Sequence, residues 1–279
     1  MGRCATFDLT DACPLRCGHC YFYARPAGQG ALPPAVYLAR LEKLRAAHEL
    51  STALWLGGEP LLQPELLLAA TAVFPRNAVV TSGLLPIPRE LKAGVLVSID
   101  GLEPEHDRLR GRGTYRRVLR RLGELRGRPF ALQLTLTALT LGALDGLERL
   151  KEETGCSGVL VGFFTGREPS PFAIGAAARS RAVDRLLELA ASVPGLLLNP
   201  PASLELLRRR GALAAACAYR RGDLAFDVRL ERKLPCAYGG AADCRTCGCA
   251  VLAVRGSMRQ GDPSSAELLR ALFQVPGRA

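Results

Sequence analysis

The chain has 279 residues, of which 48% are hydrophobic and 23% are charged, a balance ordinary for one globular domain with a sizeable core, alone or with a small appendage. No segment is apolar for long enough to cross a bilayer, and the N-terminus lacks the apolar core of a signal peptide, so we expect a cytoplasmic location. The formal net charge of +11 keeps nucleic acid open as a partner.

Short apolar, β-rich runs alternate with helical patterns along most of the sequence. Six runs are predicted as strands: 6–10, 53–58, 78–83, 94–101, 130–137 and 158–164. Their continuous apolar character is typical of parallel strands covered on both faces. Helical spacing of apolar residues, for example after a cap at Thr114, predicts helices between them. This alternation predicts an α/β fold, either an incomplete barrel or a doubly wound sheet.

Polar motifs follow several of the predicted strands. A cysteine-bearing loop follows the first strand, GGEP (57–60) the second, and TSG (81–83) and SIDG (98–101) end the third and fourth. In both parallel architectures, ligands bind at the carboxyl ends of the strands. The motifs therefore predict a functional site at this edge of the sheet.

The ten cysteines fall mainly into one group near each end of the chain, and in an intracellular protein they indicate metal or redox chemistry rather than disulfides. The first group is Cys13, Cys17 and Cys20. A closed zinc site needs four ligands, and so does an iron–sulfur cluster that only carries electrons. Three thiolates would leave one iron open to bind a small molecule, which is a catalytic arrangement.

These residues resemble a known family. CPLRCGHC (13–20) matches the CxxxCxxC motif of radical S-adenosylmethionine (SAM) enzymes, and residues 6 to 165 resemble their partial (β/α)6 TIM-type barrel. The resemblance implies that Cys13, Cys17 and Cys20 hold a [4Fe–4S] cluster whose open iron is chelated by SAM. In that family, one electron from the cluster cleaves SAM to methionine and a 5′-deoxyadenosyl radical, which abstracts a substrate hydrogen.

The same resemblance implies the SAM contacts. His19 would lie near the adenine, GGEP at the amino group, VSIDG at the ribose or carboxylate, and VGFF (161–164) at the adenine. The residues so implicated are His19, Gly57, Gly58, Glu59, Pro60, Ser98, Asp100 and Gly162. Contacts from the fifth strand are poorly defined, since it offers only Gln133 and threonines, and no catalytic acid or base is assigned.

The second cysteine group is Cys236, Cys244, Cys247 and Cys249, with Cys217 upstream as a spare. Four thiolates can hold either zinc or an auxiliary [4Fe–4S] cluster, and their spacing does not separate the two. The arrangement resembles the C-terminal extensions of radical SAM maturases of the SPASM and twitch kind, without the full SPASM pattern, and this implies an auxiliary cluster. We therefore predict a barrel over 1–200 and a small cysteine-rich extension over 201–279.

Arg108 and Arg110, in the loop predicted after SIDG, are further functional candidates, and that loop resembles radical SAM enzymes acting on peptides or tetrapyrroles. The expected function is a radical SAM oxidoreductase or maturase that acts on a peptide, or on a small-molecule cofactor precursor, and receives electrons from a donor such as ferredoxin or flavodoxin. A radical SAM tRNA-modifying enzyme is one alternative. A non-catalytic, zinc- and nucleic-acid-binding protein is another, but it leaves the three-cysteine group unexplained.

Overall fold

The computed structural model describes residues 2–22, 30–125 and 127–273, and its centre is one curved sheet. Seven strands of the described chain pair in the order β6-β5-β4-β3-β2-β1-β7, and all neighbours are parallel. They are β1 (Arg3–Asp8), β2 (Leu50–Leu56), β3 (Arg76–Thr81), β4 (Gly94–Ser98), β5 (Ala131–Leu136), β6 (Val159–Phe163) and β7 (Leu224–Phe226). The parallel sheet expected from the alternating pattern is confirmed.

Helices fill the connections. The α-helices are α1 (Pro34–Ala47), α2 (Pro64–Val73), α3 (Glu103–Arg110), α4 (Thr114–Leu122), α5 (Leu147–Thr154), α6 (Ala176–Ser192), α7 (Pro201–Arg208), α8 (Ala212–Ala216), α9 (Ala250–Arg259) and α10 (Pro263–Leu272). Short 3₁₀ helices span Pro60–Leu62, Gly123–Leu125, Leu141–Gly146, Tyr219–Arg221 and Gly239–Ala241. In residues 2–22, 30–125 and 127–273, no helix has the length and apolarity to span a bilayer.

The two faces of the sheet are buried against different helices. Outward side chains such as Phe7, Trp55 and Val79 pack in one large core with α1, α2 and the later crossover helices. Inward side chains such as Leu54 and Leu96 pack in a second, smaller core against α9 and α10. Because adjacent residues of a strand point to opposite faces, burial on both faces explains the continuous apolar runs.

Both sheet edges are covered. Asn199 forms hydrogen bonds with the backbone of Val161 on β6, accepting from its N–H at 2.7 Å and donating to its carbonyl oxygen at 2.9 Å. Strand β7, which the sequence patterns did not predict, extends the other edge, and Lys233 N–H donates to Ala225 O at 2.8 Å. Three residues are too few to show a period, so only the pairing with β1 reveals this strand.

Two local expectations are corrected. Arg108 and Arg110 lie on helix α3 rather than in a loop. Thr114 is the first residue of α4, not its N-cap, which is Gly113 in a left-handed conformation. The carboxylate of Asp107 accepts the N–H groups of Gly113 at 2.5 Å and Tyr115 at 2.9 Å, so a preceding helix provides the cap.

Candidate functional site at the carboxyl ends of the strands

The first cysteine group lies on a loop that three neighbouring segments hold in place. Gly58 and Glu59 donate their N–H groups to the carbonyl oxygens of Thr10 at 2.7 Å and Ala12 at 2.8 Å. Gly18 N–H donates to Leu109 O on α3 at 2.8 Å. The loop is thus fixed by the end of β2 on one side and by α3 on the other.

Cys13, Cys17 and Cys20 are all partly buried and line one cavity of about 210 Å³, far above the ~15 Å³ that one water molecule needs. Burial raises the pKa of the Cys17 thiol to about 11, although the nearby Arg110 charge opposes this shift. The three thiols therefore line a space that is large enough for a small molecule.

The two glycines of GGEP allow the backbone after β2 to lie close to the backbone of the cysteine loop. A Cβ atom at Gly58 would overlap the carbonyl oxygen of Ala12, and one at Gly57 would lie 2.5 Å from that of Thr10. Gly57 also has a φ of 127°, which glycine adopts without strain. Pro60 is buried at the start of a 3₁₀ helix and is not part of the cavity lining.

Glu59 is a buried carboxylate, 1% exposed, held by four donors at the cavity wall. Its Oε1 accepts from Thr81 Oγ1 at 2.7 Å and from Leu61 N–H at 3.1 Å. Its Oε2 accepts from Ser82 Oγ at 2.6 Å and from Ser82 N–H at 2.7 Å. Glu59 thus joins the ends of β2 and β3. The sequence pointed to Thr81 and Ser82 only through the TSG motif after the third strand, and it assigned them no role.

Asp100 and His19 belong to one buried network. Asp100 Oδ2 accepts from Arg110 Nε at 2.6 Å and lies 3.3 Å from His19 Nε2, while its Oδ1 accepts from Thr135 N–H at 2.9 Å. Burial raises the pKa of Asp100, but the charge of Arg110, the contact with His19 and the hydrogen bonds from Arg110 and Thr135 together hold the pKa below its usual value. Burial also lowers the pKa of His19, which favours the neutral ring. Asp100 therefore orients His19.

Unpaired acceptors mark the same cavity. His19 Nδ1 and Gln133 Oε1 are buried and have no hydrogen-bond partner among the described residues, and Nδ1 is an acceptor in the tautomer that places the ring proton on Nε2, the atom that faces Asp100. Both residues line the cavity, as do Ser98 and Thr135. Buried acceptors normally have donors, so this wall suits a ligand carrying N–H or O–H groups. The amine, adenine amino group and ribose hydroxyls of SAM are such donors, so these residues fit SAM.

The second cysteine group is divided between two cavities. Cys217, Cys236, Cys244 and Cys247 line one small cavity. Cys249 instead lines the main cavity, beside Tyr238. The sequence had placed Cys249 in the ligand set and left Cys217 as a spare. Cys217 lies near in space because β7 and α8 bring residue 217 beside the later loop, which cysteine spacing does not indicate.

Within the described ranges, no three Cys, His, Asp or Glu side chains converge where one metal ion could sit. A cubane cluster bonds each thiolate to a different iron, so its ligands stand farther apart than those of a single ion. Four thiols around one cavity are the donor set of such a cluster. These residues fit a [4Fe–4S] cluster, and four thiolates are also the donor set of a structural zinc site.

Gly162 lies near this second group. Phe163 N–H donates to Gly248 O at 2.8 Å, and a Cβ atom at Gly162 would lie 2.7 Å from the same oxygen. Gly162 is not part of the lining of the main cavity, so its adenine contact stays a prediction. Cys4 and Cys156, which belong to neither cysteine group, are buried, with 4% and 5% of their surface exposed.

Comparison with known families decides the kind of protein. The sequence profile of the Radical SAM superfamily matches residues 7–143, which include the cysteine loop, GGEP and SIDG. Residues 7–143 belong to the radical SAM superfamily. The match covers β1 to β5 and thus most of the cavity wall described above.

Two curated relatives from Bacillus subtilis (strain 168) align with part of this chain. The sporulation killing factor maturation protein SkfB is 32% identical over 117 residues, which are 38% of this chain and 28% of that protein. The antilisterial bacteriocin subtilosin biosynthesis protein AlbA is 32% identical over 120 residues, 39% of this chain and 27% of that protein. The chain therefore matches just over a quarter of each relative.

Solved structures establish the fold over nearly the whole chain. Native anSMEcpe with bound AdoMet superposes with a TM-score of 0.68 at 13% identity, covering 98% of this chain and 84% of that one. SuiB of Streptococcus suis bound to S-adenosylmethionine gives 0.66 at 14% identity, covering 95% and 67%. The partial barrel predicted from the sequence is confirmed, and the doubly wound alternative is wrong.

Proposed function

We propose that this chain is a radical SAM enzyme that reductively cleaves SAM at a [4Fe–4S] cluster and abstracts hydrogen from a peptide substrate. The observation that carries the proposal is the single cavity that joins three loop thiols to the unpaired acceptors His19 Nδ1 and Gln133 Oε1. When bound, the cluster and SAM together supply one-electron reduction and a radical able to abstract hydrogen.

The chain's own residues bind and orient. Cys13, Cys17 and Cys20 hold three irons, and the hydrogen bonds from Gly58, Glu59 and Gly18 keep their loop in position. The carboxylate of Glu59 adds negative charge beside Thr81 and Ser82, where the ammonium group of SAM would be stabilised. The Asp100–His19 contact keeps His19 Nδ1 available as an acceptor.

The names of the relatives and of one structural neighbour favour a peptide as the substrate. SkfB is a maturation protein, AlbA is a bacteriocin biosynthesis protein, and SuiB has been solved bound to the precursor peptide SuiA. We extend this chemistry to the present chain, with a ferredoxin- or flavodoxin-type electron donor. We also propose a cytoplasmic location.

We also propose that the C-terminal cysteines hold an auxiliary [4Fe–4S] cluster. The test is to purify the chain without oxygen and to count iron, sulfide and zinc in wild type and in a Cys13→Ala/Cys17→Ala/Cys20→Ala variant. We expect about eight irons per chain in wild type and about four in the variant. Wild type should also form 5′-deoxyadenosine from SAM with dithionite, and the variant should not.

Two results would contradict parts of this proposal. Four irons falling to none would remove the auxiliary cluster but leave the SAM-cleaving site. Zinc without iron in wild type would reject the radical SAM activity and favour a zinc-binding protein. A variant that still forms 5′-deoxyadenosine would reject the role of the three cysteines.

A further inference from the structure

We propose that Arg179 is the built-in counter-charge of an auxiliary iron–sulfur centre whose ligands are Cys217, Cys236, Cys244 and Cys247. This inference rests on the proposed function, since it specifies the auxiliary cluster named there. It changes the ligand set expected from the sequence, because Cys217 replaces Cys249.

The ligand set follows from the two cavities. The four proposed ligands line one small cavity, whose wall also includes Leu213, Leu252, Arg220 and Asp243, the last of which is paired with Arg245. Cys249 instead contributes to the main cavity, where Tyr238 is its neighbour. One centre needs its thiolates around one space, and only Cys217 completes such a group of four in the described chain.

Arg179 lies beside this group and is 2% exposed. Its Nη1 and Nη2 donate to the carbonyl oxygens of Thr246 at 2.9 Å and Cys247 at 2.7 Å, while its Nε donates to Leu207 O at 2.5 Å. The guanidinium also lies 4.9 Å from the centre of the Phe163 ring. The side chain therefore holds the loop that carries Cys244 and Cys247.

The charge of Arg179 is not balanced by the protein alone. Its three hydrogen bonds go to neutral carbonyl oxygens, and no carboxylate among the described residues pairs with it. The nearby Asp243 is paired with Arg245, and Glu168 is paired with Arg210. A buried charge without an opposite charge is costly. The structure thus contains a buried cation that requires an anion.

An iron–sulfur centre with four thiolates is that anion. Four thiolates around an oxidised cubane core leave a formal net charge of about −2, and reduction adds one more negative charge. Attraction between this charge and Arg179 stabilises the loaded site and favours its reduced form. Arg179 is therefore a positioning residue that raises the reduction potential of the centre.

The first experiment identifies the ligands. Iron and sulfide are counted after anaerobic purification of wild type, Cys217→Ala and Cys249→Ala. We expect Cys217→Ala to retain about four of about eight irons, and Cys249→Ala to retain all of them. The reverse pattern would overturn the ligand set. Zinc in place of the second cluster, or about four irons in wild type, would overturn the inference while leaving SAM cleavage at the first cluster intact.

The second experiment tests the charge. The auxiliary cluster is titrated with dithionite in the Cys13→Ala/Cys17→Ala/Cys20→Ala background, with electron paramagnetic resonance as the readout. In Arg179→Met we expect about a tenfold smaller equilibrium constant for reduction, which corresponds to a potential lower by about 59 mV. Arg179→Lys keeps the charge and should retain most of the wild-type potential. Arg181→Met, an exposed substitution on the same helix, should leave it unchanged.

These variants also separate a charge effect from a folding effect. If Arg179 were only structural, Arg179→Lys and Arg179→Met would lose iron alike, and the remaining cluster would keep the wild-type potential. That result, or an unchanged potential in a fully loaded Arg179→Met, would overturn the role assigned to the charge.

Discussion

The orientation of single side chains in the site is set by hydrogen bonds from residues at the ends of neighbouring strands. The carboxylate of Glu59 accepts four hydrogen bonds: one from the Thr81 hydroxyl, one from Leu61 N–H, and two from the hydroxyl and the N–H of Ser82. Its sequence context, a GGEP turn, indicated only that an acidic residue follows a strand. The hydrogen bonds show why a carboxylate is needed, because an amide could accept on only one of its two sides.

A pH dependence follows from His106. The His106 ring is 1% exposed, and its Nδ1 accepts the N–H of Asp100 at 3.4 Å. Burial lowers the pKa of His106 from 6.5 to about 4. The charge of Arg110 lowers this pKa further, whereas the charges of Asp100 and Asp107 oppose the shift. Between pH 6.5 and about pH 4 the unfolded chain binds the proton and the folded chain does not. This group's contribution to stability is therefore complete above pH 6.5 and is lost as the pH falls.

We predict that the free energy of unfolding, measured with urea, drops more in wild type than in His106→Asn between pH 7 and pH 5. The difference should be about 2 kcal/mol. Asparagine keeps an acceptor for Asp100 N–H but does not titrate. Equal drops in the two proteins would show that His106 is already charged, or exposed, in the folded state.

At the scale of elements, the site depends on how closely the loops after β1 and β2 approach each other. The carbonyl oxygens of Thr10 and Ala12 accept hydrogen bonds from Gly58 and Glu59, and no side chain fits between the loops at residue 58. The strand ends therefore determine where the three thiols stand.

We predict that Gly58→Ala displaces the cysteine loop, because the added methyl group would overlap Ala12 O. Iron content after anaerobic purification should fall from about eight to about four per chain, and SAM cleavage should be lost. Gly142→Ala is the matched control, since a methyl group there meets nothing within 4 Å. A fully loaded Gly58→Ala protein would show that the two loops tolerate separation.

At the scale of the whole molecule, residues after 200 complete the barrel rather than only follow it. Strand β7 extends the sheet, and α9 and α10 place Val254, Leu269 and Phe273 against the inward face of the central strands. The boundary predicted at residue 200 stays a prediction. The packing indicates that the two segments stabilise each other.

We therefore predict that Leu269→Ala destabilises the barrel and the extension together. Leu269 is fully buried, so the lost contacts and the cavity should lower the free energy of unfolding by about 2–5 kcal/mol in urea. Leu62→Ala, at a position 38% exposed, should cost much less. Two separate unfolding transitions, with only the second segment affected, would show instead that 201–279 folds independently.

Much of the fold follows from local patterns. The six predicted strands overlap β1 to β6, and the polar motifs stand at their carboxyl ends as expected. Strand β7 and the helical state of Arg108 and Arg110 were not predicted. β7 depends on its pairing with β1, and α3 packs against the cysteine loop. The composition of one segment does not reveal such long-range contacts.

The sequence by itself determined the strand–helix alternation, the three-cysteine loop and its place after the first strand, since periodicity and short spacings are local properties of a chain. Only the tertiary structure decided that Cys217 joins Cys236, Cys244 and Cys247, and that Arg179 lies beside them. Arg179 and Cys247 are 68 residues apart, and contacts at such separations arise from how whole elements pack. Packing therefore decided which thiols and charges share a cavity.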